Sequence, residues 1–86
     1  MLEAKIVGAV LRDYRRKKGV SQECLSGLAD IGRTHLSMIE RGTRKPTLDT
    51  LCKIADALDV RVSELVRMME DQQELLQQSG RHLPIS

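Results

Sequence analysis

The sequence predicts an all-α fold, a compact bundle of five helices without strands. Two observations carry this. Apolar residues recur three and four positions apart along most of the chain, the spacing of one helical face. Caps and glycine stops also punctuate the chain at helix-length intervals. Eighty-six residues allow one domain with a modest core, in a size range where burial alone gives marginal stability.

The first helix is expected over about residues 2–18, with Ile6, Val7, Val10, Leu11 and Tyr14 on one face and Gly19 ending it. Ser21 is a natural N-cap for the second, at about 22–29, because its hydroxyl can accept a free backbone N–H. Leu25, Leu28 and Ala29 give that helix one apolar side. Ile31, a buried-type residue, lies in the tight connection. The third helix, about 33–41, repeats the apolar face with Leu36 and Ile39, and Gly42 follows as a C′ stop. Pro46 lies in the next loop. Thr47 caps a fourth helix carrying Leu48, Leu51, Ile54, Ala55 and Leu58. Ser63 is expected to cap a fifth, over about 63–79, stopped by Gly80. The folded domain is therefore expected over 1–79, with 80–86 a loose tail.

Helices two and three are short and closely linked, so they must cross steeply, as in a helix-turn-helix. The third helix opens with Arg33-Thr34-His35, with Ser37 and Met38 a turn later. A protruding helix of this kind is shaped to enter a DNA major groove. Arg33 can bond bidentately to the O6/N7 edge of guanine; Thr34 suits a thymine methyl or a phosphate. His35 can donate to a base or a phosphate, whereas Met38 offers only apolar contact. Arg44 and Lys45, with Thr43 before them, stand after this helix as phosphate partners. Gln22 stands at the start of helix two, where the positive helix end favours an anion. Lys17 and Lys18 are weaker candidates.

Charge agrees with a polyanionic partner on one side. Residues 1–45 hold ten Lys/Arg against five Asp/Glu, and residues 46–86 four against seven. A net +5 front and −3 back suit one basic face. Tyr14 is the single aromatic, leaving almost nothing to stack on unpaired bases, which favours duplex DNA over RNA.

The ordered set Leu11-Arg12, Arg15, Lys18-Gly19, Ser21-Gln22, Leu25, Leu36-Ser37, Ile39-Glu40-Arg41-Gly42, Pro46-Thr47-Leu48, Leu51, Ile54-Ala55, Ala57-Leu58 and Val60 resembles the lambda-repressor-like (XRE, or Cro/repressor-type) helix-turn-helix family. The likeness runs from about Leu11 to Val66. Within that family, the run from Arg33 to Arg41 most resembles the small controller proteins of restriction–modification systems. The resemblance implies base contact by Arg33, Thr34 and His35, and phosphate contact by Gln22. It also implies a structural ion pair between Arg15 and Glu40, which removes Glu40 from any list of catalytic acids. Asp30 and Asp59 stand where the family usually has glycine, in turns that need a left-handed backbone.

The fifth helix carries Leu65, Met68, Met69, Gln72, Leu75 and Leu76 at helical spacing. Part of this stripe covers the core. The rest is expected to form a two-fold interface, with Leu65, Met68, Met69 and Gln72 as its residues. Two recognition helices about 34 Å apart would then read a palindrome. The expected function is a homodimeric, sequence-specific regulator of transcription on double-stranded DNA. RNA polymerase is a further candidate partner, with Glu23 an acidic group open to it. The alternative is an interaction module such as an antitoxin, engaging a partner protein through the C-terminal helix.

No stretch has the length of a transmembrane helix, and no signal-peptide core opens the chain; a cytoplasmic protein with no membrane partner is expected. Cys24 and Cys52 read as free thiols. With His35 and His82 they do not make a zinc set, so no metal or other cofactor is expected. No nucleophile–base pair or phosphate loop suggests an enzyme.

Overall fold

The structure, a computed structural model, describes residues 1–81. It contains five helices in the order α1 Ala4–Lys17, α2 Gln22–Ala29, α3 Arg33–Arg41, α4 Leu48–Ala57 and α5 Val62–Arg81, with no strand among the described residues. Ser21 Oγ accepts the Cys24 N–H at 3.0 Å and Thr47 Oγ1 accepts that of Thr50 at 3.1 Å, so each hydroxyl satisfies a donor that its helix cannot. Gly42, at φ 79°, ends α3 in the left-handed region. Asp30 at φ 56° and Asp59 at φ 55° turn the chain in the same way after α2 and α4.

The core is aliphatic. Val7, Val10 and Leu11 of α1 meet Leu25 and Ala29 of α2, Leu36 and Ile39 of α3, Leu51, Ile54, Ala55 and Leu58 from α4 and its end, and Leu65 and Met69 of α5. Helix α1 packs on α3 and α5, α2 on α3 and α4, and α4 on α5. The molecule measures 49 × 23 × 22 Å, and its longest helix, α5, with twenty residues, spans about 30 Å.

Two contacts fix α1 against other helices, one on α3 and one on α5. Gly8 lies where α1 crosses α3: a Cβ there would collide with the Ile39 carbonyl oxygen and stand 2.7 Å from that of Glu40. At the start of α1, the Glu3 N–H donates to Gln73 Oε1 at 2.9 Å, and Gln73 Nε2 donates to Glu3 Oε2 at 3.2 Å. Gln73 is buried by this clasp.

Several expectations are corrected. Leu28 and Leu48, expected on apolar faces, are 63% and 72% exposed; each shares its helical period with core residues but lies at the edge of the face. Ser63 lies inside α5, one residue past its first, so it does not cap that helix. Gly80 also lies within α5, since a glycine weakens a helix by only about 1 kcal/mol and need not end it. Residues 82–86 of the expected tail lie outside the described residues. Leu65 and Met69, expected at a dimer interface, are fully buried in the protomer's own core, because the inner side of α5 closes the bundle there. They have no surface to offer a second chain.

Candidate nucleic-acid interface

The expected contact residues form two groups, at opposite ends of α3. Its nine residues separate them by about 13 Å. At the N-terminal end Arg33 and Thr34 are exposed, while His35, Ser37 and Met38 are half-buried. Gly32, the N-cap, brings no side chain over the first turn, and that turn contains no acidic residue. The positive end of the helix therefore faces outward with Arg33 beside it. Arg33 makes no ion pair or side-chain hydrogen bond among the described residues, so its guanidinium is available to a ligand.

At the far end the chain leaves α3 under tight control. Thr43 donates through both its N–H and Oγ1 to the Met38 carbonyl, each at 3.0 Å. This fixes the path of Thr43, while Arg44 and Lys45 beyond it are exposed. The Thr43 hydroxyl has spent its proton inward, so toward a phosphate it presents an acceptor. Arg44 and Lys45 are the charged partners on this side.

A buried polar cluster joins α1 to both helices of the motif. Arg15 Nε donates to Glu40 Oε2 at 2.7 Å and Arg15 Nη2 to Glu40 Oε1 at 3.0 Å, a bidentate fork. Arg15 Nη1 donates to the Val20 carbonyl at 2.8 Å, and Gln22 Nε2 to Glu40 Oε1 at 2.9 Å. The side chains of Arg15 and Glu40 are 9% and 1% exposed. Gln22 thus has a structural partner in Glu40, which orients its carboxamide and leaves its oxygen and second N–H proton for another group. Lys18, by contrast, places its ammonium 5.8 Å over the Tyr14 ring.

Sequence reasoning missed Gly8, whose bare Cα sets the closeness of α1 to α3. The available signal was a glycine inside a strongly periodic helix. Among the described residues no group of three or more His, Cys, Asp or Glu could hold a metal ion.

Comparison with known proteins agrees with this geometry. Residues 11–65 match the helix-turn-helix family. The uncharacterized HTH-type transcriptional regulator y4dJ of Sinorhizobium fredii is 42% identical over 62 residues, covering 72% of this chain and 80% of that protein. The restriction-modification controller protein C.AhdI from Aeromonas hydrophila superposes with a TM-score of 0.70 at 39% identity, over 72% of this chain and 94% of that one. SinR, a master regulator for biofilm formation solved in complex with DNA, superposes with a TM-score of 0.66 at 34% identity, over 70% of this chain and 97% of that one. The chain belongs to the XRE-type helix-turn-helix family and is a transcriptional regulator, not an enzyme, built on that family's DNA-binding fold.

Proposed function

We propose that the protein acts as a homodimer on a palindromic operator in double-stranded DNA, with α3 in the major groove of each half-site. The observation that carries this reading is the unengaged Arg33 beside Thr34 at the open N-terminal end of α3. His35 and Ser37 follow as base-contacting residues. Gln22, Arg44 and Lys45 meet phosphates on either side, whereas Thr43, with both donors spent on the Met38 carbonyl, does not. The cytoplasm is the compartment for such a regulator, and no helix among the described residues is long and apolar enough to cross a membrane.

The dimer reading rests on the outer side of α5. Met68 and Gln72 border an open groove of about 370 Å³ between α1 and α5, whose other walls include Ile6, Ala9, Val10 and Tyr14. One to two turns further on, Leu75 and Leu76 are 59% and 47% exposed. A ridge and a groove on one helix make a self-complementary patch, as a two-fold interface requires.

Selection from a random duplex pool at near-physiological salt, with Arg33→Ala in parallel, tests the reading. The wild type should enrich a palindrome. The variant should lose preference at one position per half-site, at a cost of about 1–3 kcal/mol per site. Lys45→Ala should weaken binding to all sequences alike. A failure to enrich any sequence, or an enriched site without two-fold symmetry, refutes the reading. Removal of residues 72–86 that spares DNA binding but abolishes function would favour an antitoxin-like role for α5 instead.

A further inference from the structure

We infer that one edge of α1, carrying Lys5, Arg12 and Arg16, is a second track for the DNA backbone. It continues the interface past the C-terminal end of α3. The inference rests on the DNA-binding reading above. The three residues stand at spacings of seven and four, so they share one side of α1 over about 16 Å.

The position of that side is set by contacts on α3. Lys5 lies against the last turn, since a Cβ on Gly42 would stand 2.7 Å from the Lys5 Cα. Gly8, between Lys5 and Arg12, touches the Ile39 and Glu40 carbonyls. One turn after Arg12, Arg15 reaches Glu40 and the Val20 carbonyl. The edge therefore starts beside Gly42-Thr43-Arg44 and ends near Gln22, joining the two places where phosphate contact is already proposed.

The charge along it has no internal counterweight. Glu40 is spent on Arg15 and Gln22, and Glu3 keeps its charge but is held toward α5 by Gln73, with no ion pair to Lys5 among the described residues. Asp13 reaches Arg12 only at 3.9 Å, with 73% of its side chain in solvent. Arg12 Nε is itself shielded from water and has no hydrogen-bond partner among the described residues. Around the end of α3 these cations are joined by Arg41 and Arg44. The negative end of the α3 dipole amounts to about half a charge, too little to account for five cations. A phosphate backbone supplies the missing anions, and its even spacing suits a row of side chains along a helix.

The test compares wild type, the double variant Lys5→Gln/Arg12→Gln, and Arg12→Lys, binding the selected duplex and an unrelated duplex between 50 and 200 mM salt. Glutamine keeps the length of each side chain, and thermal melts report folding. Each lost phosphate contact should lower the salt slope by about 0.9. Across this range the wild type should therefore lose about 12-fold more affinity than the double variant, on both duplexes alike. The lysine variant should keep the wild-type slope. Lys53→Gln on α4, which removes one positive charge elsewhere, should leave the slope unchanged. An unchanged slope in the double variant, with or without a lowered melting temperature, overturns the inference. So does a drop of about half that size in Lys53→Gln, which removes half as much charge and would mean a net-charge effect without contact. Absence of any salt-dependent duplex binding by the wild type overturns the DNA reading itself, and this inference with it.

Discussion

Replacing Glu40 by alanine removes the acceptor for three donors at once: Arg15 Nε, Arg15 Nη2 and Gln22 Nε2. What remains is a guanidinium with 9% of its side chain exposed and one carbonyl, that of Val20. Burial decides the magnitude. An exposed pair of this kind contributes about 0.2–1 kcal/mol, whereas stranding one partner of a buried pair costs about 3–5 kcal/mol. For an 86-residue domain, with an unfolding entropy near 2.1 cal/mol/K per residue, that is a fall in Tm of roughly 15–30 °C. Urea titration and thermal melting followed by circular dichroism measure it. The companion variant is Arg15→Met/Glu40→Leu, which removes both charges and fills the space. It should recover most of the loss, because no uncompensated charge stays inside. A loss below about 1 kcal/mol for Glu40→Ala would place the pair with surface pairs and refute the reasoning. So would a double variant as unstable as the sum of its singles, since contacting partners should not add.

Other perturbations test the backbone and the clasp. Gly8→Ala should destabilise by about 1–3 kcal/mol, because the new methyl meets α3 backbone that cannot yield, and this outweighs the better helix propensity of alanine; a gain in urea midpoint would contradict the close approach. Asp30→Gly and Asp59→Gly should each stabilise by about 0.5–1 kcal/mol, by relieving a left-handed backbone at positive φ, seen as a higher Tm with the fold unchanged. Gln73→Ala should cost about 1–3 kcal/mol through the unmade bonds to Glu3. It should also speed amide hydrogen exchange in the first turn of α1, and unchanged exchange there would show the clasp to be idle.

The fold was largely legible because its signals are local. The bounds of α2 and α3, the caps at Ser21 and Thr47, and the turns at Asp30 and Asp59 each depend on a few consecutive residues. What escaped depends on distant partners. Periodicity showed that Leu65 and Met69 share a stripe with Met68 and Gln72, but not that the first two face this chain's own core. Leu28 and Leu48 follow the same spacing as buried neighbours, and only the packing of α2 and α4 leaves them outside. Gln73 looked like one of many polar residues late in the chain; its burial depends on Glu3, seventy positions away. Gly8 showed only as a glycine inside a periodic helix; that it meets the α3 backbone depends on packing. For the interface, chain position marked Arg33 and Arg44, whereas the edge with Lys5 and Arg12 appears only once α1 is laid across α3.

The same clasp has a consequence for synthesis. A ribosome adding about 5–20 residues per second makes Glu3 several seconds before Gln73 exists to receive it. Through that interval α1 lacks both its polar anchor and the α5 wall of its groove, although α2, α3 and α4 are already made. The nascent chain must therefore carry the apolar side of α1 incompletely covered until α5 emerges, and it is α5 that closes the fold over α1.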